Sequence, residues 1–192
     1  MSLRITGGLA RGIRLKVPSG EGTRPATDQM REALFASLGE VVCGARCLDC
    51  FAGSGSYGLE ALSRGAREVH FVEQERRALA CLRENLAAVE KALAAAETAP
   101  RASTTIHPRD VLRLGNFSQP FDLVFCDSPY AEAPKLLARL FHCCEDWLTD
   151  GLLALEVPSE LEIEPAGWTL QRQFGKRKGH HSPKLLLLKR IA

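Results

Sequence analysis

From Arg46 onward, short apolar runs of strand length alternate with longer stretches whose apolar residues recur every three to four positions. The short runs predict strands at 46–51, 68–73, 103–107, 121–126 and 152–157, with two further β-like runs at 168–174 and 184–190. Between them, the spacing predicts helices over 56–64, about 75–96 and 134–147. The second carries Leu79, Leu82, Leu86, Val89 and Leu93 on one stripe, and the third turns Leu137, Leu140, Phe141 and Cys144 inward. This order indicates an α/β chain with a seven-stranded, mostly parallel sheet covered on both faces. No helix separates the last two strands, so they are expected to form a hairpin and an antiparallel edge.

The first 38 residues differ in character. Two β-like runs, Leu3–Ile5 and Ile13–Val17, lie among Gly and Arg and read as a small hairpin or arm. Asp28 is expected to cap a helix with Met30, Leu34, Phe35 and Leu38 on one face. The chain divides on this reading into a basic arm and helix (1–38) and a main domain (39–192).

Composition narrows the class. A chain of 192 residues, 45% hydrophobic and 25% charged, is that of a soluble globular domain. No apolar run approaches the ~20 residues that span a bilayer, and the N-terminus lacks the pattern of a signal peptide, so a cytoplasmic location is expected. Seven cysteines, several inside apolar runs, suit buried thiols better than a disulfide framework. Cys47-Leu-Asp-Cys50 has metal-ligand spacing but lacks a second properly spaced pair, and no metal site is assigned. Net charge is only +2, yet six Lys or Arg lie within residues 1–31, and Arg172–Arg190 holds seven with no acid. Basic ends suit a polyanionic partner, or simply a solvated surface.

Two stretches carry chemistry. In Leu48-Asp-Cys-Phe-Ala-Gly-Ser-Gly-Ser-Tyr-Gly58, the glycines form G-x-G-x-x-G directly after a strand and before a helix, a turn that lets backbone approach a ligand. Glu73, twenty residues past Gly53, fits an acid that binds a ribose. Asp49 precedes the glycines, where a carboxylate suits a cationic group and repels a pyrophosphate, or else caps the turn. Asp110 follows a strand and reads equally as an acceptor for an adenine amine, with Val111 against the ring, or as a turn former. The second stretch, Phe121-Asp-Leu-Val-Phe-Cys-Asp-Ser-Pro-Tyr130, ends a strand in an acid, a hydroxyl, a proline and a ring, at the end where ligands of open α/β sheets collect. Trp147 and Trp168 read as core, and His180 and His181 as loop residues.

Together these residues resemble the class I S-adenosylmethionine-dependent methyltransferases, a Rossmann-like fold. Asp127-Ser-Pro-Tyr130 is similar to the [D/N]-P-P-[Y/F] motif of enzymes that methylate base amines. "RITGGLARGIRL" (4–15), "TRPATDQMREALFASL" (23–38) and "DCFAGSGSYGLEALSRGA" (49–66) resemble the RsmD family over essentially the whole chain. The resemblance implies methylation of the N2 amine of guanine 966 in 16S ribosomal RNA, with S-adenosylmethionine as cofactor. It implies Asp49, Phe51, Gly53, Ser54, Gly55, Glu73, Asp110, Val111 and Asp127 at the cofactor, and Asp127, Ser128, Pro129 and Tyr130 at the reacting base. Arg4, Arg11, Arg14, Arg24, Arg31, Lys176, Arg177 and Lys178 are then the expected RNA contacts, on 16S RNA or the 30S particle, by a monomer. Ser128 departs from the motif proline; the carbonyl survives the change, so the expected cost falls on preorganisation and rate. Three alternatives remain at this point: methylation of another base amine in RNA or DNA, a nicotinamide-dependent oxidoreductase built on the same glycine turn, and an RNA-binding assembly factor with weakened turnover.

Overall fold

The computed structural model describes residues 3–18, 25–96, 101–128, 133–175 and 183–191. Seven strands form one sheet: β1 (Arg46–Cys50), β2 (Glu68–Glu73), β3 (Ser103–Pro108), β4 (Phe121–Asp127), β5 (Leu148–Pro158), β6 (Trp168–Phe174) and β7 (Pro183–Arg190). Their order across the sheet is β3-β2-β1-β4-β5-β7-β6, with β3 to β5 parallel and β7 running antiparallel between β5 and β6. The expected edge hairpin is thus present, and β7 is the strand that enters the sheet between its neighbours. β1 is buried at every position because it lies in the middle of the sheet with helices on both sides, which explains its lack of alternation.

Side chains of alternate strand residues enter two separate cores. One holds Cys47, Phe71, Phe125 and Ala154 against α1 (Pro25–Leu38), α2 (Ser56–Ser63) and α3 (Arg76–Ala95). The other holds Leu48, Val72, Val124 and Leu155 against α4 (Ala133–Trp147) and the segment after β3. Trp147 and Trp168 both belong to this second core, and the Trp147 indole N–H donates to the Gly115 carbonyl at 3.0 Å.

Two element boundaries differ from expectation. α1 begins at Pro25, whose fixed φ suits a first helical turn, so Asp28 lies inside that turn and is not the cap. Its Oδ1 lies 3.1 Å from Arg31 Nη2. β5 begins at Leu148, directly after α4, because Leu148 pairs with Phe121 before the register shifts. Gly151 lies inside this strand, where a Cβ would sit 2.6 Å from the Asp122 carbonyl oxygen and 2.7 Å from that of Phe121.

The N-terminal hairpin is closed by the Arg4–Arg14 bridge and packs on α2 and α3. Leu3, Ile5 and Leu15 enter the same core as the sheet, while Arg4, Arg14 and Lys16 point outward. Glu60, fully buried on α2, accepts from the Thr6 N–H and hydroxyl at 2.8 Å each. Asn85 on α3 clamps the hairpin's second arm: its Oδ1 accepts from the Lys16 N–H at 2.8 Å, and its Nδ2 donates to the carbonyls of Lys16 and Ser54, both at 2.9 Å. Replacing Asn85 with Ala removes the partner of one buried and two part-buried backbone groups, so Asn85→Ala should lower unfolding free energy by about 1–3 kcal/mol. Urea denaturation checks this; a loss under about 0.5 kcal/mol would mean that water replaces the amide.

Candidate functional site

The glycine turn follows β1 at the carboxyl edge of the sheet. Phe51 (φ 57°), Gly53 (φ 55°) and Gly55 (φ 88°) all adopt left-handed backbone, and the strain falls on Phe51 as the non-glycine among them. Each glycine has its own reason. A Cβ at Gly55 would lie 2.4 Å from Leu82 of α3, and one at Gly58 would lie 2.3 Å from the Phe71 ring and 3.0 Å from Asp49 Oδ2. At Gly53 the nearest atom to such a Cβ is 4.0 Å away, so this side of the turn is open to an approaching ligand. Ser54 is buried, with its carbonyl held by Asn85.

Four strand ends bring carboxylates to this edge, all on the face that packs against α1 to α3. Asp49 of β1 sits opposite Phe71 and Phe125, and the next same-facing positions on β2 and β4 are Glu73 and Asp127. Asp127 stands opposite Glu156 of β5. Asp49 is 2% exposed and accepts the Gly58 N–H at 2.8 Å. Burial pushes its carboxyl up to about 8, against the lowering effects of the Gly58 hydrogen bond and the Arg31 charge. Glu73 accepts from the N–H of Gly53 at 2.8 Å and from those of Gln74 and Glu75 at 2.7 Å each. These bonds pin the glycine turn to β2 and leave roughly one of the carboxylate's ~four lone-pair positions for a ligand. Asp110 caps a short 3-10 turn by accepting the Leu112 N–H at 3.0 Å, and Val111 is buried beneath it. The turn-former reading of Asp110 is therefore realised, with its other oxygen near Arg113 at 3.9 Å.

At the end of β4, Asp127 is half-buried and Ser128 is buried. Pro129 and Tyr130 lie outside the described residues, as do Arg24, Lys176, Arg177, Lys178, His180 and His181. Two residues here were not singled out in the sequence. Tyr57 stacks on Phe125 with ring centroids 5.7 Å apart, and its hydroxyl donates to Glu156 Oε2 at 2.9 Å. Glu156 is 2% exposed. The signal for it was present: a single acid inside Leu152-Leu-Ala-Leu-Glu-Val157, an otherwise apolar strand.

The expected RNA contacts separate. Arg4, Arg11 and Arg14 are exposed on the hairpin. Arg11 lies at the hairpin turn, where Leu9 and Ala10 bond Ser63 at the far end of α2, about 12 Å along the helix from the glycine turn. Arg31 does not face outward: it is 1% exposed, donates to the Arg4 carbonyl at 2.6 Å and lies 3.6 Å from the buried Glu60 carboxylate. A helix position whose neighbours Leu34 and Phe35 enter the core turns this arginine inward, and its charge compensates Glu60 instead of a phosphate.

Among the described residues no group of three or more His, Cys, Asp or Glu is placed to hold a metal ion. Cys47 and Cys50 enter opposite cores, so their spacing along the strand does not make a pair. No helix among the described residues is long and apolar enough to cross a membrane. The donor set fits the cationic amino-acid end of S-adenosylmethionine. A buried carboxylate that accepts the Gly58 N–H lies behind a turn that is open at Gly53, and a second carboxylate stands at the end of β2. A dinucleotide fold would continue in parallel beyond β5; the antiparallel β7 inserted there is a different topology.

Strand order and site define a class I methyltransferase. The solved magnesium protoporphyrin IX methyltransferase of Synechocystis, with bound SAM, shares the fold at TM-score 0.61 and 17% identity, over 89% of this chain and 86% of that one. An Escherichia coli structure, a methyltransferase by its description, superposes at TM-score 0.78 with 34% identity, covering 100% of this chain and 99% of the other. The chain is 39% identical over 176 residues to ribosomal RNA small subunit methyltransferase D of Escherichia coli K12, spanning 89% of this chain and 83% of that protein. It is 35% identical to the protein of the same name in Haemophilus influenzae, across 89% and 87% of the two chains. The family model described as "Conserved hypothetical protein 95" matches residues 3–182, and the chain belongs to this family, that of the RsmD methyltransferases.

The raised Asp49 carboxyl sets a pH dependence. The neutral form of Asp49 predominates below about pH 8, whereas an ammonium group bound at Asp49 would pair with the ionised form, so such binding would release a proton there. Affinity for S-adenosylhomocysteine should therefore fall up to tenfold per unit as pH drops from 8 towards 6. Calorimetry should find this slope in the wild type and not in Asp49→Asn; a flat wild-type profile would remove Asp49 from the contact.

Proposed function

We propose that this protein uses S-adenosylmethionine to methylate the exocyclic N2 amine of a guanine in 16S ribosomal RNA. By family resemblance the target is guanine 966, modified in the cytoplasm on the RNA or on an assembling 30S particle, by a monomer. The observation that carries the reading is the neighbouring placement of two grips. Asp49 behind the glycine turn and Asp127-Ser128 at the end of the adjacent strand lie on one edge of the sheet. The names of its relatives supply ribosomal RNA as the substrate.

A base amine is a weak nucleophile because its lone pair is delocalised into the ring. In the proposed complex the Asp127 carboxylate and the Ser128 carbonyl accept its two N–H hydrogens, which favours a tetrahedral nitrogen with its lone pair directed at the methyl. The cofactor, when bound, supplies that methyl on a positively charged sulfur. Asp49 holds the ammonium end, Glu73 a ribose hydroxyl, and the Asp110–Val111 segment flanks the adenine. Alignment of two bound reactants supplies most of the acceleration. Once methylated, the nitrogen is cationic and loses a proton to the Asp127 carboxylate or to water. Tyr130 is assigned a stacking contact with the base, worth ~1–3 kcal/mol in comparable sites. Exposed Arg4 and Arg14 offer phosphate contacts on the outer side of the hairpin.

Labelled S-adenosylmethionine incubated with unmethylated 30S particles and with naked 16S RNA tests the reaction. Asp127→Ala should lower kcat by about 10²-fold or more. Ser128→Ala should stay within about threefold, since the acceptor at that position is a backbone carbonyl. Equal labelling by the wild type and Asp127→Ala would remove Asp127 from the mechanism. Tight NAD binding without S-adenosylhomocysteine binding would overturn the class of reaction.

For the RNA surface, the double substitution Arg4→Ala/Arg14→Ala should weaken RNA binding and reduce the slope of log affinity against log salt by about 1.5. Filter binding across a salt series measures this, and an unchanged slope would place the RNA elsewhere.

A further inference from the structure

Beside Asp127 the site holds a second carboxylate that the mechanism above does not use. Glu156 is the register partner of Asp127 on the next parallel strand, and by strand alternation both side chains leave the same face. Adjacent strands lie ~4.8 Å apart, so the two groups stand next to each other at the edge where the base must enter. Tyr57 fixes Glu156 from the side. Its hydroxyl donates to Oε2 at 2.9 Å, and its ring is braced on Phe125, one same-face position below Asp127. The three groups converge, since the charges of Glu156 and Asp127 both add to the effect of burial in raising the Tyr57 hydroxyl's proton affinity.

We propose that Glu156 accepts the N1–H of the target guanine and is the residue that selects guanine over other amine-bearing bases. This inference rests on the guanine-N2 reading given above. Guanine presents two kinds of donor side by side on its Watson–Crick edge, the N2 amine and N1–H. Adenine and cytosine place a lone-pair nitrogen beside their amine. With Asp127 and the Ser128 carbonyl on the amine, the adjacent carboxylate meets a donor in guanine and a lone pair in the other two. The first is a charge-assisted hydrogen bond; the second is a repulsion in a buried setting. Enzymes that act on an extruded base commonly read that edge by hydrogen bonds. Tyr57 is the positioning residue, holding the carboxylate in one orientation.

The test compares wild type and Glu156→Gln on small-subunit RNA carrying either guanosine or 2-aminopurine riboside at the mapped target. 2-Aminopurine keeps the amine but has a lone pair at N1. The glutamine keeps an oxygen for Tyr57 and offers an N–H in place of the acceptor. On guanosine, Glu156→Gln should lose about 10–100-fold in kcat/KM, with S-adenosylhomocysteine affinity unchanged within about twofold. On 2-aminopurine it should match or exceed the wild type, so that the preference for guanosine collapses. An equal loss on both substrates, or no loss on either, would overturn the assignment. Nucleoside mass spectrometry separates the two levels of failure. Methyl on a base other than guanine overturns the functional reading together with this inference, whereas N2-methylguanosine made with an unchanged preference ratio overturns this inference alone.

Discussion

The site depends on one carboxylate being kept out of water. Asp49 lies in an interior strand of the sheet, accepts a hydrogen bond from the Gly58 N–H and has almost no exposed surface. That contact requires a residue without a side chain at 58, because Phe71 and Asp49 itself occupy the space a Cβ would take. It also places the first turn of α2 directly above β1, which brings Tyr57 over Phe125 and Glu60 against the N-terminal hairpin. An ionised group in such a place is unfavourable until a cation arrives. Burial therefore favours the protonated carboxyl of Asp49, and a cation placed beside it would favour the ionised form.

Parallel register turns this single position into a site. Because β2, β1, β4 and β5 are all parallel, their carboxyl ends fall on one edge, and side-chain alternation puts Glu73, Asp49, Asp127 and Glu156 on one face. On β2 and β1 the acids tie down the glycine turn, at Gly53 and at Gly58, while Asp127 and Glu156 are the two for which substrate roles are proposed. The antiparallel β7 then closes the row: Glu156 pairs with Leu185, and apolar residues take over. The opposite face of β1 and β4 carries Cys50 and Cys126 instead, in the core that also receives Cys144 from α4, and burial keeps these thiols protonated.

Much of this was legible in the sequence because strand ends and glycine turns are local signals. The run Phe121–Cys126 is apolar enough to be a central strand, and G-x-G-x-x-G between a strand and a helix marks a nucleotide-type ligand turn, though not which ligand. What escaped notice was polar residues buried by tertiary contact. Asn85 sits on the apolar stripe of α3 between Leu82 and Val89, where a lone amide reads as a blemish until its three backbone partners are seen. Arg31 counted as a surface charge because arginine is seldom buried, yet Glu60 and the Arg4 carbonyl hold it inside. Glu156 was hidden by its neighbours: five apolar residues around one acid make a strand first and a question second. In each case the missing information was a contact between residues distant along the chain.

The amide of Asn85 joins two parts of the fold to which the proposed function assigns different ligands. One nitrogen donates both to Lys16, on the arm that carries the exposed arginines, and to Ser54, inside the glycine turn. A displacement of either carbonyl is therefore felt by the other through a single planar group. If RNA binds the hairpin and the cofactor binds the turn, as proposed, any factor that one applies to the other's affinity through this link is returned in equal measure, because the thermodynamic cycle closes. The hairpin and the glycine turn, far apart in sequence, form the two arms of one balance with Asn85 at its pivot.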